Sequence, residues 1–427
     1  MNFDALLPAY LGRQRWFAGE EPEKVVVQED EELVPGLHWL LVEADGARYQ
    51  LVIGLRSADD PPEYLHGHEP AILGAVDGQV AFDATIDPEY AKALLTQVAP
   101  DQEVTHIRPM NVEQSNSSLI ADDRLVLKLF RRLQHGPNPD IEVTEGLARA
   151  GFLHVAAPLA MWEFEGSHLA VVQPYLSSGS EGWALALGSL RDLYARAEEG
   201  HTDPAEAGGD FAGEARRLGE VTARMHVALA EAFGTSPGHP TGWAAMARAQ
   251  LDRLRPGDID AGAAGAFLDR LASITDAGAA IRVHGDYHLA QVLRTDAGWF
   301  VLDFEGEPAR PLEERTLPSS PFKDVAGMLR SFHYAAQVTL TEREPLQMEA
   351  VAGLDEAWEQ RNRHAFCEGY FGVDGIERLL PADEESRAVL CAAFELDKAV
   401  YEVLYERAHR PDWVDIPLHA IRRLLAG

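Results

Sequence analysis

The hydrophobic pattern of this 427-residue chain changes near residue 177, and that change constrains the fold more than any other feature. Before it, short apolar runs separated by turn residues, such as residues 39–42 and 49–53, predict β-strands. After it, apolar residues recur at helical spacing, most clearly over residues 211–233. We therefore expect an α+β protein whose first part is rich in strands and whose second part is mostly helical.

The strand-rich part contains a predicted hairpin, and the helical part contains one interruption. Residues 118–120 and 124–130 predict the hairpin, and a helix over residues 139–150 follows it. Residues 281–284 and 299–303 predict two short strands around a loop. A strand-rich lobe followed by a helical lobe with an embedded loop is the plan of a two-lobed kinase.

The charge of the chain limits its partners. It has 69 Asp and Glu residues against 37 Lys and Arg, which gives a formal net charge of -32. Such a surface repels nucleic acids and anionic lipids, so we expect neither as a partner. Cys367 and Cys391 lack metal-binding or redox spacing, and no apolar run reaches the ~18 residues of a membrane span. We expect a cytoplasmic monomer that acts on small molecules.

Two short segments carry the strongest chemical signal. They read His284-Gly285-Asp286-Tyr287-His288-Leu289-Ala290-Gln291 and Val301-Leu302-Asp303-Phe304-Glu305. Phosphoryl transfer from ATP needs a carboxylate that orients the acceptor hydroxyl and takes its proton, and it needs oxygen ligands for Mg²⁺. Asp286 fits the catalytic role, and Gln291 and Asp303 fit the metal-binding role. The pattern therefore predicts an ATP- and Mg²⁺-dependent phosphotransferase.

These motifs also carry a family resemblance. The His-Gly-Asp and Asp-Phe pattern resembles the aminoglycoside phosphotransferase and choline kinase superfamily. Longer segments resemble, more narrowly, the actinobacterial maltokinases and their glucosamine kinase relatives; these segments lie at residues 14–19, 303–308, 324–330 and 395–402. The superfamily has Asn where Gln291 stands, and maltokinase-type members resemble this chain in having Gln.

The resemblance implies a fold and a domain organisation. The fold would be the bilobal protein-kinase-like fold of the aminoglycoside phosphotransferase type, with an additional N-terminal cap domain. Residues 1–90 would form the cap, and residues 91–176 the small lobe with nucleotide-binding strands. Residues 177–427 would form the mostly helical lobe with the catalytic loop and the acceptor site.

Lys128 is the first predicted ATP ligand. It lies on the apolar strand predicted at residues 124–130, where the kinase scheme places a lysine that contacts the nucleotide phosphates and pairs with a helix Glu. Glu142 and Glu145 follow on the next helix, and the resemblance favours Glu142. A surface lysine is the alternative, although a buried one needs a partner.

Two further segments are predicted to bind ATP. A Ser/Asn-rich loop replaces the usual Gly-rich loop, and its residues are Ser115, Asn116, Ser117 and Ser118. Hydroxyl, amide and backbone N–H groups can bind phosphate oxygens, although such clusters are mostly turns. Gln173 and Tyr175 flank a proline where a kinase hinge would contact adenine, and a plain linker is the alternative.

The helix predicted at residues 394–407 carries a polar face, which the resemblance assigns to the acceptor. The predicted acceptor-binding residues are Asp286, His288, Glu395, Asp397, Glu402 and Tyr405. Carboxylates and aromatic rings are groups that hold sugars. A solvated acidic helix face is the alternative.

The resemblance leaves two sugar acceptors open. Maltokinases typically carry Leu and Gly where this chain has Tyr287 and Ala290, and the added bulk beside the base favours a smaller acceptor. An acidic lobe also suits a cationic amine. We therefore expect phosphorylation of D-glucosamine to glucosamine 6-phosphate. Maltose is the alternative acceptor, and a non-catalytic kinase-like module is the more remote alternative.

Overall fold

The computed structural model describes residues 2–17, 19–110, 116–206, 209–307, 312–341 and 351–426. The chain divides into two compact units. One comprises Met1–Glu145 and Ala156–Ser177, and the other comprises Gly146–Val155 and Ser178–Gly427. The finer division at residues 90 and 176 remains a prediction. None of the described helices combines the length and apolarity needed to cross a bilayer.

The secondary structure follows the expected order of strands and then helices. The strands are β1 Val25–Val34, β2 Leu37–Ala44, β3 Ala47–Ser57, β4 Ile72–Val76, β5 Gln79–Asp83, β6 Ile107–Pro109, β7 Ser117–Ala121, β8 Leu125–Leu129, β9 Arg132–Leu133, β10 Ala160–Phe164, β11 Ser167–Pro174, β12 Ser180–Glu181, β13 Thr235–Pro237, β14 Ala279–Ile281, β15 Val292–Thr295 and β16 Gly298–Val301. The α-helices are α1 Leu7–Leu11, α2 Pro88–Val98, α3 Pro139–Arg149, α4 Gly182–Glu198, α5 Ala212–Phe233, α6 Pro240–Leu251, α7 Ala261–Ala272, α8 Leu312–Arg315, α9 Phe322–Thr341, α10 Leu354–Phe371, α11 Glu384–His409 and α12 Asp415–Ala426.

Two antiparallel sheets build the first unit. The larger has the order β1-β2-β3-β5-β4, with β9 paired to β3, and the smaller has the order β10-β11-β8-β7-β6. The predicted hairpin is confirmed as β7 and β8. Asp122 and Asp123 in its turn both have positive φ, which Asp tolerates better than most side chains.

One apolar core joins the two sheets of this unit. It includes Trp39 and Phe82 from the larger sheet, Leu95 from α2, and Leu127 from the smaller sheet. Successive side chains of a strand point to opposite faces of the sheet. Because Leu127 enters the core, Lys128 lies on the other face of β8.

A buried polar network also ties the two sheets together. Arg131 is 1% exposed. Its Nη2 donates to Asp83 Oδ2 at 2.6 Å, and its Nε donates to Ser117 Oγ at 2.8 Å. Tyr10 donates its hydroxyl to the same Asp83 oxygen at 2.7 Å. Burial acts to raise the pKa of Asp83, but Arg131, Thr85 and Tyr10 outweigh it and hold that pKa below its ordinary value.

Helices make up most of the second unit, and two small sheets interrupt them. β15 and β16 form a hairpin that β12 extends. The strand predicted at residues 281–284 is wrong beyond Ile281, because β14 ends there and pairs with β13 instead. Farther along, the backbone N–H groups of His284 and Gly285 donate to the Asp324 carboxylate and not to a partner strand.

We predict that Arg131→Ala lowers the free energy of unfolding by ~3–5 kcal/mol, because it leaves the buried Asp83 carboxylate without its counter-charge. A urea-unfolding curve measures the change. Arg132→Ala is the matched control, since Arg132 is the exposed neighbour and should change stability by less than ~0.5 kcal/mol. Equal losses for the two variants would contradict the structural role of Arg131.

Candidate active site

A buried carboxylate anchors the loop that follows β14. Asp324, near the start of α9, is 1% exposed and accepts the backbone N–H groups of His284 and Gly285, each at 2.8 Å. Nε2 of His226 on α5 lies 3.1 Å from the same carboxylate. Burial acts to raise the pKa of Asp324, but His226 and the other donors outweigh it and keep that pKa low. One ionised side chain therefore fixes the backbone just before Asp286.

The imidazole of His284 fixes the next turn. Its Nδ1 accepts the backbone N–H of Asp286 at 3.3 Å, so the proton resides on Nε2, which donates to the Leu302 carbonyl at 2.9 Å. The Leu302 N–H donates in turn to the Gln291 carbonyl at 2.9 Å. These bonds connect the loop at residues 284–291 to the end of β16, where Asp303 follows.

Asp286 is held by a lysine from a distant helix. Lys398 on α11 donates to Asp286 Oδ1 at 2.8 Å and to Glu307 Oε1 at 2.9 Å. Both carboxylates are largely buried, and Glu307 is 2% exposed. The ammonium therefore joins the loop of Asp286, the segment after β16 and α11.

Opposite charges keep this group ionised. Burial acts to raise the pKa of Asp286, but the attraction of Lys398, with help from His288, holds it well below its usual range. Burial acts to lower the pKa of Lys398, but Asp286 and Glu307 raise it well above its usual value. At neutral pH the candidate base is a carboxylate that can accept a hydrogen bond from a hydroxyl.

Gln291 and Asp303 lie side by side, with Gln291 Nε2 3.0 Å from Asp303 Oδ2. Asp303 has a φ of +61°, a conformation that costs ~1–3 kcal/mol for residues other than Gly. Carboxylate and amide oxygens are ligands that Mg²⁺ accepts, provided that the Gln291 amide turns its carbonyl inward. In the described part of the chain no three Asp, Glu, His or Cys side chains form a metal cluster. A divalent ion here would therefore use these two ligands together with phosphate oxygens, and this donor set fits Mg²⁺.

His288 lies between the candidate base and the candidate metal ligands. Its Nε2 is 3.9 Å from Asp286 Oδ2. Burial lowers the pKa of His288, Lys398 lowers it further, and the carboxylates of Asp286 and Asp303 oppose the shift. Because the carboxylates of Asp286 and Asp303 both act on the His288 ring, the second unit brings the predicted catalytic and metal-binding residues into one region.

A cavity of about 380 Å³ adjoins Asp286. Its walls come from the loop at residues 286–290, from α4, α9 and α11, and from the turn after α11. The lining residues are Trp183, Asp286, His288, Ala290, Gly327, Ser331, Tyr334, Lys398, Tyr401, Glu402, Tyr405, Glu406, Arg410 and Trp413. Its volume is at the small end of the ~300–1,000 Å³ typical of ligand cavities.

Two ion pairs set the charge of this cavity. Arg330 on α9 donates to Glu402 Oε2 at 2.6 and 3.1 Å, and Arg410 donates to the two Glu406 oxygens at 2.8 and 2.9 Å. Burial raises the pKa of Glu402, although Arg330 opposes the shift. A cationic ligand beside Glu402 would favour its ionised form.

Four of the predicted acceptor residues line this cavity, and two do not. Asp286, His288, Glu402 and Tyr405 are among its walls. Glu395 is 5% exposed, and both its oxygens accept from Arg363 on α10, at 2.7 and 2.9 Å.

Asp397 is the second predicted acceptor residue that the structure places elsewhere. It accepts from Gln250 Nε2 at 3.1 Å and lines a different cavity, beside α6. Residues 398, 402 and 406 recur at helical spacing along the cavity wall. Glu395 lies about one turn before them, and its carboxylate binds Arg363 of α10. The carboxylate of Asp397 accepts from Gln250 of α6.

The expected role of Tyr287 also differs from the structure. Tyr287 is 1% exposed, and its hydroxyl lies 2.9 Å from Thr222 Oγ1 on α5. Its ring therefore points into the helical core and adds no bulk to the cavity. Ala290 does line the cavity, so only one of the two residues cited for a small acceptor contributes to its shape.

The described ATP-binding candidates lie in the first unit. Lys128 is 8% exposed, and its Nζ lies 3.3 Å from Asp140 Oδ2 on α3, an acid that the sequence analysis did not single out. The pairing of Lys128 with Glu142 stays a prediction. Ser118 lies directly opposite Lys128 on β7, and its hydroxyl is buried with no hydrogen-bond partner among the described residues. A buried hydroxyl beside a lysine is suited to a phosphate oxygen.

The other nucleotide candidates have different surroundings. Ser117 points to the opposite face from Ser118, where its hydroxyl accepts from Arg131. Asn116 precedes β7, and Ser115 lies outside the described residues. Gln173 pairs with Val126 on β8, and Tyr175 donates its N–H to the Arg124 carbonyl at 2.8 Å.

Comparison with known proteins identifies the family. A family model for the maltokinase N-terminal cap domain matches residues 10–87. A glucosamine kinase from Streptacidiphilus jiangxiensis is 31% identical over 361 residues, which cover 80% of this chain and 78% of that protein. The chain belongs to the glucosamine kinase family. A glucosamine kinase from Mycolicibacterium smegmatis is 30% identical over 74% of this chain and 79% of its own length.

Solved structures of glucosamine kinases share the fold. One crystal form matches with a TM-score of 0.73 and 24% identity over 100% of both chains. A complex with glucosamine, ADP and inorganic phosphate matches with a TM-score of 0.69 and 23% identity, over 100% of this chain and 99% of that one. The predicted kinase-like α+β fold with an N-terminal cap domain is confirmed, and so is the resemblance that suggested it.

Sequence reasoning missed two residues that organise the site. Lys398 was noted only as part of a polar helix face, and Asp324 only as part of a family-like segment. A lysine flanked by acids on an amphipathic helix is a weak signal, because surface helices often look the same. The Asp that begins α9 resembles an ordinary first-turn acid, and nothing local reveals that it binds another segment.

We predict that Asp324→Asn accelerates hydrogen exchange at the His284 and Gly285 amides by at least ~10-fold. Each bond to the charged carboxylate contributes ~1.5–3 kcal/mol, and the neutral amide offers a single acceptor oxygen. Hydrogen-exchange mass spectrometry of the native protein measures the change. Asp296→Asn, at an exposed position, is the control. Unchanged exchange in the Asp324 variant would contradict the anchoring role.

Proposed function

We propose that this protein is an ATP- and Mg²⁺-dependent glucosamine kinase that transfers the γ-phosphoryl group of ATP to the 6-hydroxyl of D-glucosamine. The observation that carries the proposal is the ionised Asp286, held by Lys398 at one end of a cavity that also contains Glu402. Membership of the glucosamine kinase family supports the acceptor. The need for ATP and the unbonded Cys367 and Cys391 support a cytoplasmic location.

Asp286 acts as the catalytic base in this proposal. Its free oxygen accepts the hydrogen bond of the acceptor hydroxyl and orients it toward the phosphorus, which is the main protein contribution to phosphoryl transfer. The proton moves to this carboxylate as the new O–P bond forms and the bond between the γ-phosphorus and the bridging oxygen breaks, so that ADP leaves. Lys398 positions Asp286, and its charge offsets part of the negative charge that develops at the transferred group.

Gln291 and Asp303 would hold Mg²⁺ in this scheme. The ion, when bound, neutralises charge on the nucleotide phosphates. The contact between the two side chains, at 3.0 Å, supports this assignment. Lys128 and Ser118, which face the same side of the smaller sheet, would bind phosphate oxygens. Ser115 and Asn116, which precede β7, would also contribute, together with Ser117, whose hydroxyl accepts from Arg131 as well.

The remaining nucleotide assignments are proposed on position alone. Gln173 and Tyr175 would present backbone groups to the adenine, since Gln173 lies near the end of β11 and Tyr175 directly follows that strand. Glu142 would support Lys128 together with Asp140, which is 7% exposed and lies on the same helix.

The charge of the acceptor cavity supports an aminosugar. Among the residues that line the cavity, three carboxylates, at Asp286, Glu402 and Glu406, face two cations, at Lys398 and Arg410, and this leaves one negative charge. Their ion-pair partners outside the lining, Glu307 and Arg330, carry opposite charges that cancel. An ammonium group on the acceptor would balance the remaining negative charge. The rings of Trp413 and Tyr405 add apolar surface to the cavity wall. Glu395 and Asp397 are not proposed as acceptor ligands.

Maltose is the second candidate acceptor. The match to the maltokinase cap domain favours it, and the shape argument from Tyr287 no longer counts against it. A neutral disaccharide would leave the excess negative charge of the cavity unbalanced. A non-catalytic role is disfavoured because Lys128, Asp286, Gln291 and Asp303 are all retained.

We predict that Asp286→Asn lowers kcat for glucosamine phosphorylation by ~10²–10⁴-fold, because the amide cannot take the proton. Affinity for Mg²⁺-ADP, measured by calorimetry, should stay unchanged in this variant and fall in Asp303→Ala. Asp296→Asn serves as the control at an exposed carboxylate. Near-normal turnover by Asp286→Asn would remove Asp286 from the base role, and absence of turnover with any sugar in the native protein would refute the kinase proposal.

We predict that Glu402→Gln reduces kcat/KM for glucosamine at least ~10-fold more than kcat/KM for glucose. A hydrogen bond between charged groups contributes ~1.5–3 kcal/mol, and only the aminosugar can make it. Glucose turnover by the same variant reports whether the site remains intact. Glu385→Gln, at an exposed position of α11, is the matched control. Equal losses for both sugars would argue against an amine contact at Glu402.

A further inference from the structure

A tight turn carries the proposed metal ligand Asp303. It occupies residues 303–307, shortly after β16, and both Asp303 and Gly306 have positive φ, at +61° and +73°. Asp303 is exposed, whereas Phe304 is 2% exposed and packs its ring against the imidazole of His284, at 4.7 Å between centroids. An exposed side chain on a strained turn keeps one direction only if the surrounding structure holds the backbone in place.

Arg315 holds this turn from one side. Its Nη1 donates to the Glu305 carbonyl at 2.9 Å. The stem of the same side chain lies against Gly306, where an added Cβ would be 3.2 Å from the Arg315 Cβ and 3.4 Å from its Cγ and Cδ. Lys398 binds the Glu307 carboxylate at the far end of the turn, at 2.9 Å. Two cationic side chains therefore hold the turn at different points.

Arg315 is itself tied to β14, the strand that precedes the loop of the proposed base. The carbonyl of the next residue, Thr316, accepts from Arg282 Nη1 at 2.9 Å. Ser319 and Ile281 exchange two backbone hydrogen bonds, at 2.8 and 2.9 Å, at the end of β14. The guanidinium of Arg315 therefore reaches the turn from a backbone that is held in place.

The hydrogen bonds of Arg315 do not by themselves account for its position. Its Nε is buried and has no hydrogen-bond partner among the residues that the structure describes. A buried donor without a partner lowers stability, and violations of this kind are typical of functional sites. We therefore looked for the role of Arg315 in the turn that it holds.

We propose that Arg315 is a positioning residue for Asp303, so that the affinity of the site for Mg²⁺ depends on this arginine. The inference rests on the proposed function. By holding the Glu305 carbonyl, Arg315 keeps the turn in the conformation that places Asp303 Oδ2 3.0 Å from Gln291 Nε2. Residues that orient metal ligands typically change metal affinity ~10–100-fold when they are mutated.

Calorimetry of ADP binding with and without Mg²⁺ tests this role. The ratio of the two ADP affinities is the Mg²⁺ enhancement, and we expect Arg315→Ala to lower it at least ~10-fold. ADP affinity without Mg²⁺ and glucosamine affinity should both stay at their native values, because the change is confined to the metal ligand. A general loss of structure would lower all three quantities.

A second variant and a control accompany the measurement. Gly306→Ala should also lower the Mg²⁺ enhancement, because the added Cβ would press on the Arg315 stem and a positive φ disfavours alanine. If a urea-unfolding curve shows that Arg315→Ala is not folded, Gly306→Ala decides the question. Arg378→Ala, at a side chain that is 84% exposed, is the control and should leave the enhancement unchanged.

The outcomes separate the positioning role from the kinase proposal. If Asp303→Ala abolishes the Mg²⁺ enhancement while Arg315→Ala keeps its native value, the positioning role is overturned and the kinase proposal stands. Equal losses of ADP affinity with and without Mg²⁺, or a matching loss of glucosamine affinity, would also overturn it. An enhancement that falls in Arg315→Ala, in a protein that phosphorylates no sugar, would support the positioning role and refute the kinase proposal.

Discussion

The hydrogen bonds from the backbone of His284 and Gly285 to Asp324 are the constraint on which the rest of the site depends. They are made by a carboxylate that is almost completely buried, and such a group is stable only when every oxygen is compensated. Because the acceptors are fixed on α9, the loop must leave β14 at a set point and turn at Gly285. The same turn sends Tyr287 inward and Asp286 outward. One interaction thus fixes the positions of the proposed catalytic base and of this part of the helical core.

Lys398 connects the loop that Asp324 fixes to α11, the helix that lines the proposed acceptor cavity. It binds Asp286 and Glu307 while belonging to the helix that carries Tyr401, Glu402 and Tyr405. The helix that lines the proposed acceptor cavity and the carboxylate proposed as the base are consequently held by the same ammonium group. A shift of α11 would move the proposed base and the proposed amine contact together. This coupling explains why a flexible lysine, ordinarily a surface residue, is largely buried here.

The sequence predicts local features well and contacts between distant segments poorly. The β7–β8 hairpin and the contact between Gln291 and Asp303 were predictable because both follow from short-range pattern and spacing. Lys398 and Asp324 were not, since their partners lie 112 and about 40 residues away. Glu395 illustrates the same limit. Helical spacing places it near the face of α11 that lines the cavity, but its carboxylate binds Arg363 on α10. The direction of the Tyr287 side chain could not be predicted, because the backbone of residues 284–291 is irregular and has no period from which side-chain direction follows.

The core shared by the two sheets of the first unit limits which truncations and domain exchanges this protein can tolerate. Trp39 and Phe82 from the cap-matched region pack in the same cluster as Leu127, and Asp83 supplies the counter-charge of Arg131. A chain that began after residue 87 would expose the apolar surface around Leu127 and would leave the buried guanidinium of Arg131 without the Asp83 carboxylate. Residues 10–87 therefore cannot be removed as an independent module. Gene fusions or domain exchanges that separate them from the smaller sheet would impair the folding of β8, the strand that carries Lys128.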